Sequence, residues 1–190
     1  CNEDIALMRS IPGMVILNPS DDIEAKAAVK AAYEHEGPVY MRFGRLAVPI
    51  INDRPDYKFE IGKGVTLREG KDVAIIATGL CVSESLAAAE KLAADGIDAK
   101  VINIHTIKPL DEDLVVAAAK ECGKVVTVEE HSVIGGLGSA VCETLSRKAP
   151  TPVKTIGVQD CFGESGPAVA LLEKYGLNAE GIYASVKEFV

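Results

Sequence analysis

Short apolar runs alternate with stretches of helical periodicity over most of the 190 residues. In the second part of the chain, four runs are almost continuously apolar, as expected for strands buried on both faces of a parallel sheet. They are VAIIA (73–77), AKVINI (99–104), KVVTV (124–128) and VKTIGV (153–158). Amphipathic helical patterns separate these runs, and this order is typical of a parallel sheet covered by helices. The pattern therefore predicts an α/β fold.

The first part of the chain predicts a smaller unit of the same kind. A short helical stretch at 3–9 is followed by a strand at 14–17, a helix near 21–35 and a second strand in GPVYMRFGR (37–45). Asp21 with Glu24 forms an acidic N-capping pattern, and Gly37-Pro38 stops the helix, so both ends of this helix have a physical cause. A single βαβ unit of this size is too small to be stable alone.

A domain boundary is predicted where the periodicity stops. Residues 46–56 contain Pro49, Asn52-Asp53 and Pro55 and follow no helical or strand period, which is typical of a linker. We assign residues 1–48 to the first unit, 49–56 to the linker and 57–190 to the second unit. The predicted fold is two consecutive α/β units, of which the C-terminal one is an open, mostly parallel sheet with helices on both faces.

Composition and charge restrict the possible partners. The formal net charge is -8 and no block of basic residues is present, which argues against binding to nucleic acid or to an anionic membrane surface. No apolar run is long enough to span a bilayer. The first residue is Cys1, where an intact gene product would begin with methionine, so we expect this chain to be part of a longer protein.

The cysteines indicate a reducing compartment. Their number, five, is odd and none are spaced as C-x-x-C, which disfavours a disulfide framework and a structural zinc site. Reduced cysteines in a cytoplasmic protein are the simplest interpretation.

Two arginines end the strand GPVYMRFGR, although a buried parallel strand is normally continuous in Val, Ile and Leu. The carboxyl ends of strands line the ligand crevice of open α/β sheets, and a guanidinium there can pair with two oxygens of a phosphate or carboxylate. Strand alternation places Arg42 and Arg45 on opposite faces. A ligand contact and an interdomain salt bridge are both compatible with this position, and the residues alone favour the salt bridge.

The sequence Glu129-Glu130-His131 follows the predicted strand KVVTV. Two carboxylates and an imidazole could bind a metal or share acid-base chemistry. His35 and His105 are distant along the chain, however, and adjacent residues of an extended segment point apart. Solvated residues at a strand end, or hydrogen bonds to loop backbone, are favoured instead, and we assign no metal ligand.

The glycines Gly135, Gly136 and Gly138 precede a helical pattern at 139–147 and nearly match the dinucleotide fingerprint G-x-G-x-x-G/A. Val141 occupies the position of the third small residue, and HSVIG separates the glycines from the strand. The tight turn that would cradle a pyrophosphate is therefore missing, and we predict only a sharp turn and a helix start.

FGESG (162–166) precedes a helical pattern at 167–175. Ser165 could cap this helix or act as a nucleophile, but the strained strand-to-helix elbow of a hydrolase is absent. We predict capping.

Four segments together resemble the C-terminal section of transketolase: VINIHTIKPLDEDL, VVTVEEHSVIGGLGSAV, IGVQDCFGESG and LLEKYGL. Residues 3–32 and GPVYMRFGR resemble the last part of the pyrimidine-binding domain of that family. TIKPLD and the GG-L-G segment recur in 1-deoxyxylulose-5-phosphate synthase and in the β subunit of pyruvate dehydrogenase, so these two enzyme classes are alternatives. FGESG with LLEKYGL points to transketolase itself.

This resemblance implies transfer of a two-carbon ketol unit between sugar phosphates in the pentose phosphate pathway, with thiamine diphosphate and Mg²⁺ as cofactors of the complete enzyme. It places the substrate-phosphate arginine on Arg45 and gives Arg42 no general role. The glutamate and the aromatic pocket that contact thiamine would precede Cys1. We therefore assign no catalytic, cofactor-binding or metal-binding residue to this chain and expect it to be inactive alone.

The implied partners are an N-terminal transketolase domain or subunit and a second copy in a homodimeric complete enzyme. A dimerisation or docking module without its own chemistry is the alternative from a different class.

Overall fold

The computed structural model describes residues 1–190, which form seven helices and eight strands. The helices are α1 (Asp4–Arg9), α2 (Asp22–Glu34), α3 (Cys81–Ala94), α4 (Glu112–Cys122), α5 (Leu137–Lys148), α6 (Ala168–Lys174) and α7 (Ala179–Phe189). The strands are β1 (Val15–Leu17), β2 (Val39–Met41), β3 (Val65–Arg68), β4 (Val73–Ala77), β5 (Ala99–Asn103), β6 (Thr106–Lys108), β7 (Val125–Ser132) and β8 (Val153–Val158). No helix has the length and apolar character needed to cross a membrane.

The larger sheet has five strands in the order β3-β5-β4-β7-β8. Only β3 runs antiparallel to its neighbour, and it lies at the edge. Helices α3 and α7 contribute to the apolar core on one face, and α4 and α5 contribute to the core on the other. The central strand β4 is completely buried, which explains its continuous apolar sequence. The predicted fold class is confirmed.

The smaller sheet has three strands in the order β2-β1-β6. Strands β1 and β2 are parallel and are connected through α2, whereas β6 comes from later in the chain and pairs antiparallel with β1. The sequence did not predict β6, because three residues carry too little periodicity. Strand β6 directly follows β5 of the larger sheet, so the chain passes from one sheet into the other. The backbone hydrogen bonds between β6 and β1 therefore connect the two sheets in addition to the side-chain contacts.

A second connection is a buried polar cluster around Glu24, which is completely inaccessible to solvent. Its carboxylate accepts hydrogen bonds from Ser20 N at 2.7 Å and from Ser20 Oγ at 2.8 Å. It also accepts from Tyr57 Oη at 2.7 Å and from Asn103 Nδ2 at 2.8 Å. A buried carboxylate is stable only when it is satisfied in this way. These contacts join α2 to the segment after the smaller sheet and to β5.

Asp21 caps α2, as predicted, by accepting a hydrogen bond from Glu24 N at 2.9 Å. Its second carboxylate oxygen accepts from Ile51 N and from Asn52 N, each at 2.8 Å. One side chain therefore begins a helix and also fixes the chain where it leaves the smaller sheet.

A third buried carboxylate explains the glycines before α5. Glu129 is fully buried and accepts hydrogen bonds from Leu137 N at 2.7 Å and from Gly138 N at 2.8 Å. A Cβ atom on Gly136 would overlap this carboxylate. The predicted turn and helix start are confirmed. Gly136 is required because Glu129 fills the start of the helix, whereas Gly135 adopts a φ of +80° that favours glycine. Burial raises the pKa of Glu129 to about 7, although the two N–H groups act in the opposite direction.

Truncation of Glu24 should destabilise the contact between the sheets. Glu24→Ala leaves the donors of Ser20, Tyr57 and Asn103 without their acceptor, and we expect a loss of about 3 kcal/mol or more in the free energy of unfolding. Urea denaturation measures this value. Glu34→Ala, at an exposed position of the same helix, is the control, and equal effects of the two substitutions would contradict the account.

Glu129 should make stability depend on pH. Its pKa rises from 4.5 to about 7 in the folded chain, so the folded state holds the proton more tightly than the unfolded state. The resulting stabilisation is fully present below about pH 4.5 and is lost as the pH rises to about 7, by roughly 3 kcal/mol.

Glu129→Gln lacks this titration, while the histidines titrate in both proteins. The free energy of unfolding of the unchanged chain minus that of Glu129→Gln should therefore fall across this pH range. A difference that stayed constant or rose would show that the folded chain does not hold Glu129 protonated.

Candidate functional site

Arg42 lies where β2 ends and forms a salt bridge between the two sheets. Its Nε is 3.1 Å from Asp4 Oδ2, and its Nη1 is 3.4 Å from Glu130 Oε2. Its Nη2 donates to the carbonyl oxygens of Glu130 at 2.8 Å and Cys1 at 3.3 Å. The side chain is only 14% exposed. The interdomain salt bridge, one of the two alternatives from the sequence, is confirmed for Arg42.

Asp4 is held ionised beside Arg42. Burial acts to raise the pKa of Asp4, but the hydrogen bond from Tyr40 Oη at 2.7 Å and the charge of Arg42 lower it below its usual value. His131 Nε2, 4.0 Å from Asp4, accepts a hydrogen bond from Ala6 N, and burial lowers the pKa of this histidine. A neutral His131 leaves Asp4 and Glu130 to balance the charge of Arg42.

Arg45 differs from Arg42 both in its exposure to solvent and in its lack of partners. It is exposed, and its guanidinium forms no hydrogen bond or salt bridge within the chain. It lines an open cleft of about 330 Å³ together with Tyr40, Phe43 and the ion-paired Arg42 and Glu130. The structure therefore presents one unpaired cation to solvent at the end of β2, and its role in binding phosphate stays a prediction.

Glu129, Glu130 and His131 do not converge on one point. Glu129 and His131 are buried on one side of β7, where they bond to backbone groups, while Glu130 turns to Arg42. Of the two alternatives from the sequence, solvated residues or hydrogen bonds to loop backbone, Glu129 and His131 therefore follow the second, because both are buried. No group of three His, Cys, Asp or Glu side chains in the chain is arranged to hold a metal ion.

The predicted cap at Ser165 is wrong. Helix α6 begins at Ala168, directly after Pro167, and no side chain caps it. Pro167 occupies the N-cap position, and its ring offers no acceptor for the first N–H groups of the helix. Ser165 makes no hydrogen bond, so no base within the chain is placed to activate its hydroxyl. The segment that contains it lies at the surface, where Phe162 is 95% exposed.

Asp4 and Tyr40 were not identified from the sequence. Asp4 lies 38 residues before Arg42, and Glu130 lies 88 residues after it. No local pattern connects positions so far apart, although the residues alone did favour a salt bridge for an arginine at the end of this strand.

Comparison with known proteins gives two adjoining family matches. The family model described as "Transketolase, C-terminal domain" matches residues 62–182, which is more than half of the chain. The model described as "Transketolase, pyrimidine binding domain" matches residues 2–50.

Several named proteins are similar over nearly the whole chain. A 6-deoxy-6-sulfo-D-fructose transketolase subunit of Clostridium sp. (strain MSTE9) is 48% identical over 98% of this chain and 58% of the relative. A putative transketolase C-terminal section of Methanocaldococcus jannaschii is 45% identical over 98% of this chain and 58% of the relative. A 1-deoxy-D-xylulose-5-phosphate synthase of Geobacter sulfurreducens is 40% identical over 98% of this chain and 30% of that enzyme.

The solved structure titled "Split gene transketolase, inactive beta4 tetramer" superposes with a TM-score of 0.94 at 52% identity. It covers 99% of this chain, which in turn covers 61% of that one. The chain thus spans less than two thirds of the length of these relatives. The matched segments, their order and the similarity across both sheets agree, and the chain belongs to the transketolase family.

Proposed function

We propose that this chain is the C-terminal part of a transketolase that transfers a two-carbon ketol unit between sugar phosphates. Residues 1–48 would complete a pyrimidine-binding domain, 49–56 would be the linker, and 57–190 would form the C-terminal domain. The observation that carries the proposal is the unpaired guanidinium of Arg45 at the carboxyl end of β2, in a chain of this family.

Arg45 is suited to hold the phosphate of a sugar phosphate. A guanidinium offers parallel N–H donors that match two phosphate oxygens, and its charge is retained at any physiological pH. Because Asp4 and Glu130 balance the charge of Arg42, Arg45 is the cation left for an anionic ligand. Its exposure leaves room for a substrate that is enclosed when the rest of the enzyme is present.

Thiamine diphosphate and Mg²⁺ do not fit the residues of this chain. There is no converging set of metal ligands. The start of α5, the one glycine-rich helix start, is filled by the side chain of Glu129, which accepts from the Leu137 and Gly138 N–H groups that a diphosphate would need. We therefore propose that both cofactors are held by the remainder of the complete enzyme.

The proposed partner is an N-terminal transketolase domain or subunit. The complete enzyme is proposed to be a homodimer, with two copies of this part and two of the N-terminal part. The names of the relatives support this partner, since one is a transketolase subunit and one a C-terminal section.

A second candidate function is 1-deoxyxylulose-5-phosphate synthesis, which the 40% identity to a synthase favours. Formation of 1-deoxyxylulose 5-phosphate by the complete enzyme would decide for it.

The chain alone should have no ketol-transfer activity and should not bind thiamine diphosphate tightly, because no residue set for the cofactor is present. Titration calorimetry with thiamine diphosphate and Mg²⁺ checks this, with the complete enzyme as the positive control. Saturable micromolar binding to the 190-residue chain would mean that a cofactor site has been overlooked.

Arg45→Ala in the complete enzyme should raise KM for a phosphorylated ketose more than it lowers kcat, because the phosphate is remote from the reacting carbon and is bound before and during the reaction. Loss of a charge-assisted hydrogen bond predicts a decrease in kcat/KM of roughly ten- to a hundredfold. Unphosphorylated ketoses should lose much less.

Arg147→Ala is the control, since Arg147 is an exposed arginine paired with Glu112 on other elements. Steady-state kinetics with the two classes of donor provide the measurement. Equal impairment of both classes by Arg45→Ala would rule out the phosphate role.

A further inference from the structure

Arg45 belongs to a segment, residues 43–50, that makes no hydrogen bond with the rest of the chain. Neither its backbone nor its side chains donate to or accept from any other residue. It contains no helix or strand. The position of the Arg45 guanidinium therefore depends on what holds the two ends of this segment and on apolar packing.

The two ends are held by different groups. On the N-terminal side, Arg42 N donates to Leu17 O at 2.8 Å, and the Arg42 guanidinium bridges Asp4 and Glu130. On the C-terminal side, Ile51 N and the following amide bind the carboxylate of Asp21. Arg42 is three residues from Arg45, whereas Ile51 is six residues away, so Arg42 is the nearer polar anchor.

Apolar packing restrains only part of the segment. Leu46 and Val48 pack against the core of the larger sheet, and Gly44 lies against Leu80. A groove of about 370 Å³ separates the segment from the start of α2. Phe43, next to Arg42, is 54% exposed. Between Arg42 and Arg45, therefore, no large side chain is buried that could hold the backbone in place.

We propose that Arg42 is a positioning residue for the substrate phosphate: by bridging Asp4 on α1 and Glu130 on β7, it sets the place from which Arg45 extends. This inference rests on the proposed phosphate role of Arg45. It gives the contact between the two sheets a direct function, because the same guanidinium that joins them defines one wall of the phosphate site.

The geometry requires arginine at this position. Nε faces Asp4 while both Nη atoms face Glu130, and a lysine ammonium cannot reach both partners from one nitrogen. Arg42→Lys therefore keeps the charge but loses the bridge.

Arg9 provides a matched control. It also crosses between the sheets, donating to Gly135 O at 2.8 Å and to Glu143 Oε2 at 2.7 Å. Its side chain is 16% exposed, against 14% for Arg42. It lies on α1, and none of its polar partners belongs to segment 43–50. Arg9→Lys should cost similar stability without disturbing Arg45.

The test is steady-state kinetics of the complete enzyme with a phosphorylated and an unphosphorylated ketose donor. Arg42→Lys should raise KM for the phosphorylated donor roughly three- to thirtyfold, which lies within the range of coupling between residues that act together. KM for the unphosphorylated donor should change little. Arg9→Lys should show no preference between donors, and adding Arg42→Lys to Arg45→Ala should cause no further phosphate-selective loss.

The inference is overturned if Arg42→Lys impairs both donors equally, or if its selective loss persists in full in the Arg45→Ala background. The phosphate role itself fails if Arg45→Ala alone shows no selectivity, and that result would overturn both. If Arg42→Lys does not fold, Asp4→Asn and Glu130→Gln each remove one partner and keep Arg42. Smaller losses confined to the phosphorylated donor are then expected, and losses equal for both donors would contradict the inference.

Discussion

The contact between the two sheets depends on charges that are buried there and that find their partners on both sides. Arg42 brings a cation to this contact and is balanced by Asp4 and Glu130. Glu24 brings an anion and is satisfied by hydroxyl, amide and backbone donors. Apolar surfaces can slide over one another at small cost, whereas a buried charge loses several kcal/mol when a partner moves away. These groups therefore restrict how the smaller sheet can lie against the larger one.

The same buried groups determine which donors near this contact stay unpaired. Glu129 occupies the start of α5, the position at which a glycine-rich turn would otherwise attract phosphate. Asp4 and Glu130 neutralise Arg42 and leave Arg45 unpaired at the end of β2. Of these three positions, only Arg45 keeps an unpaired cation. Under the proposed function, the C-terminal domain contributes Glu130 to this arrangement and affects substrate binding without touching the substrate.

Local patterns predicted much of the fold. Strands β4 and β8 occupy the predicted residues, and Asp21 caps α2 as expected, because each of these features is determined by neighbours in sequence. Strand β6 and the acidic partners of Arg42 were not predicted, since both depend on residues far apart along the chain. The cap at Ser165 was wrong because Pro167, and not Ser165, occupies the N-cap position of that helix. For the site, the residues alone left two alternatives for each arginine, and only the family resemblance selected Arg45 for the phosphate.

The most direct test of the account is a crystal structure of the complete enzyme with a ketose phosphate bound. We expect two phosphate oxygens within about 3 Å of the Arg45 guanidinium nitrogens, the geometry of a bidentate charge-assisted pair. Arg42 should remain between Asp4 and Glu130. A phosphate bound away from this cleft, with Arg45 still in solvent, would contradict the central claim.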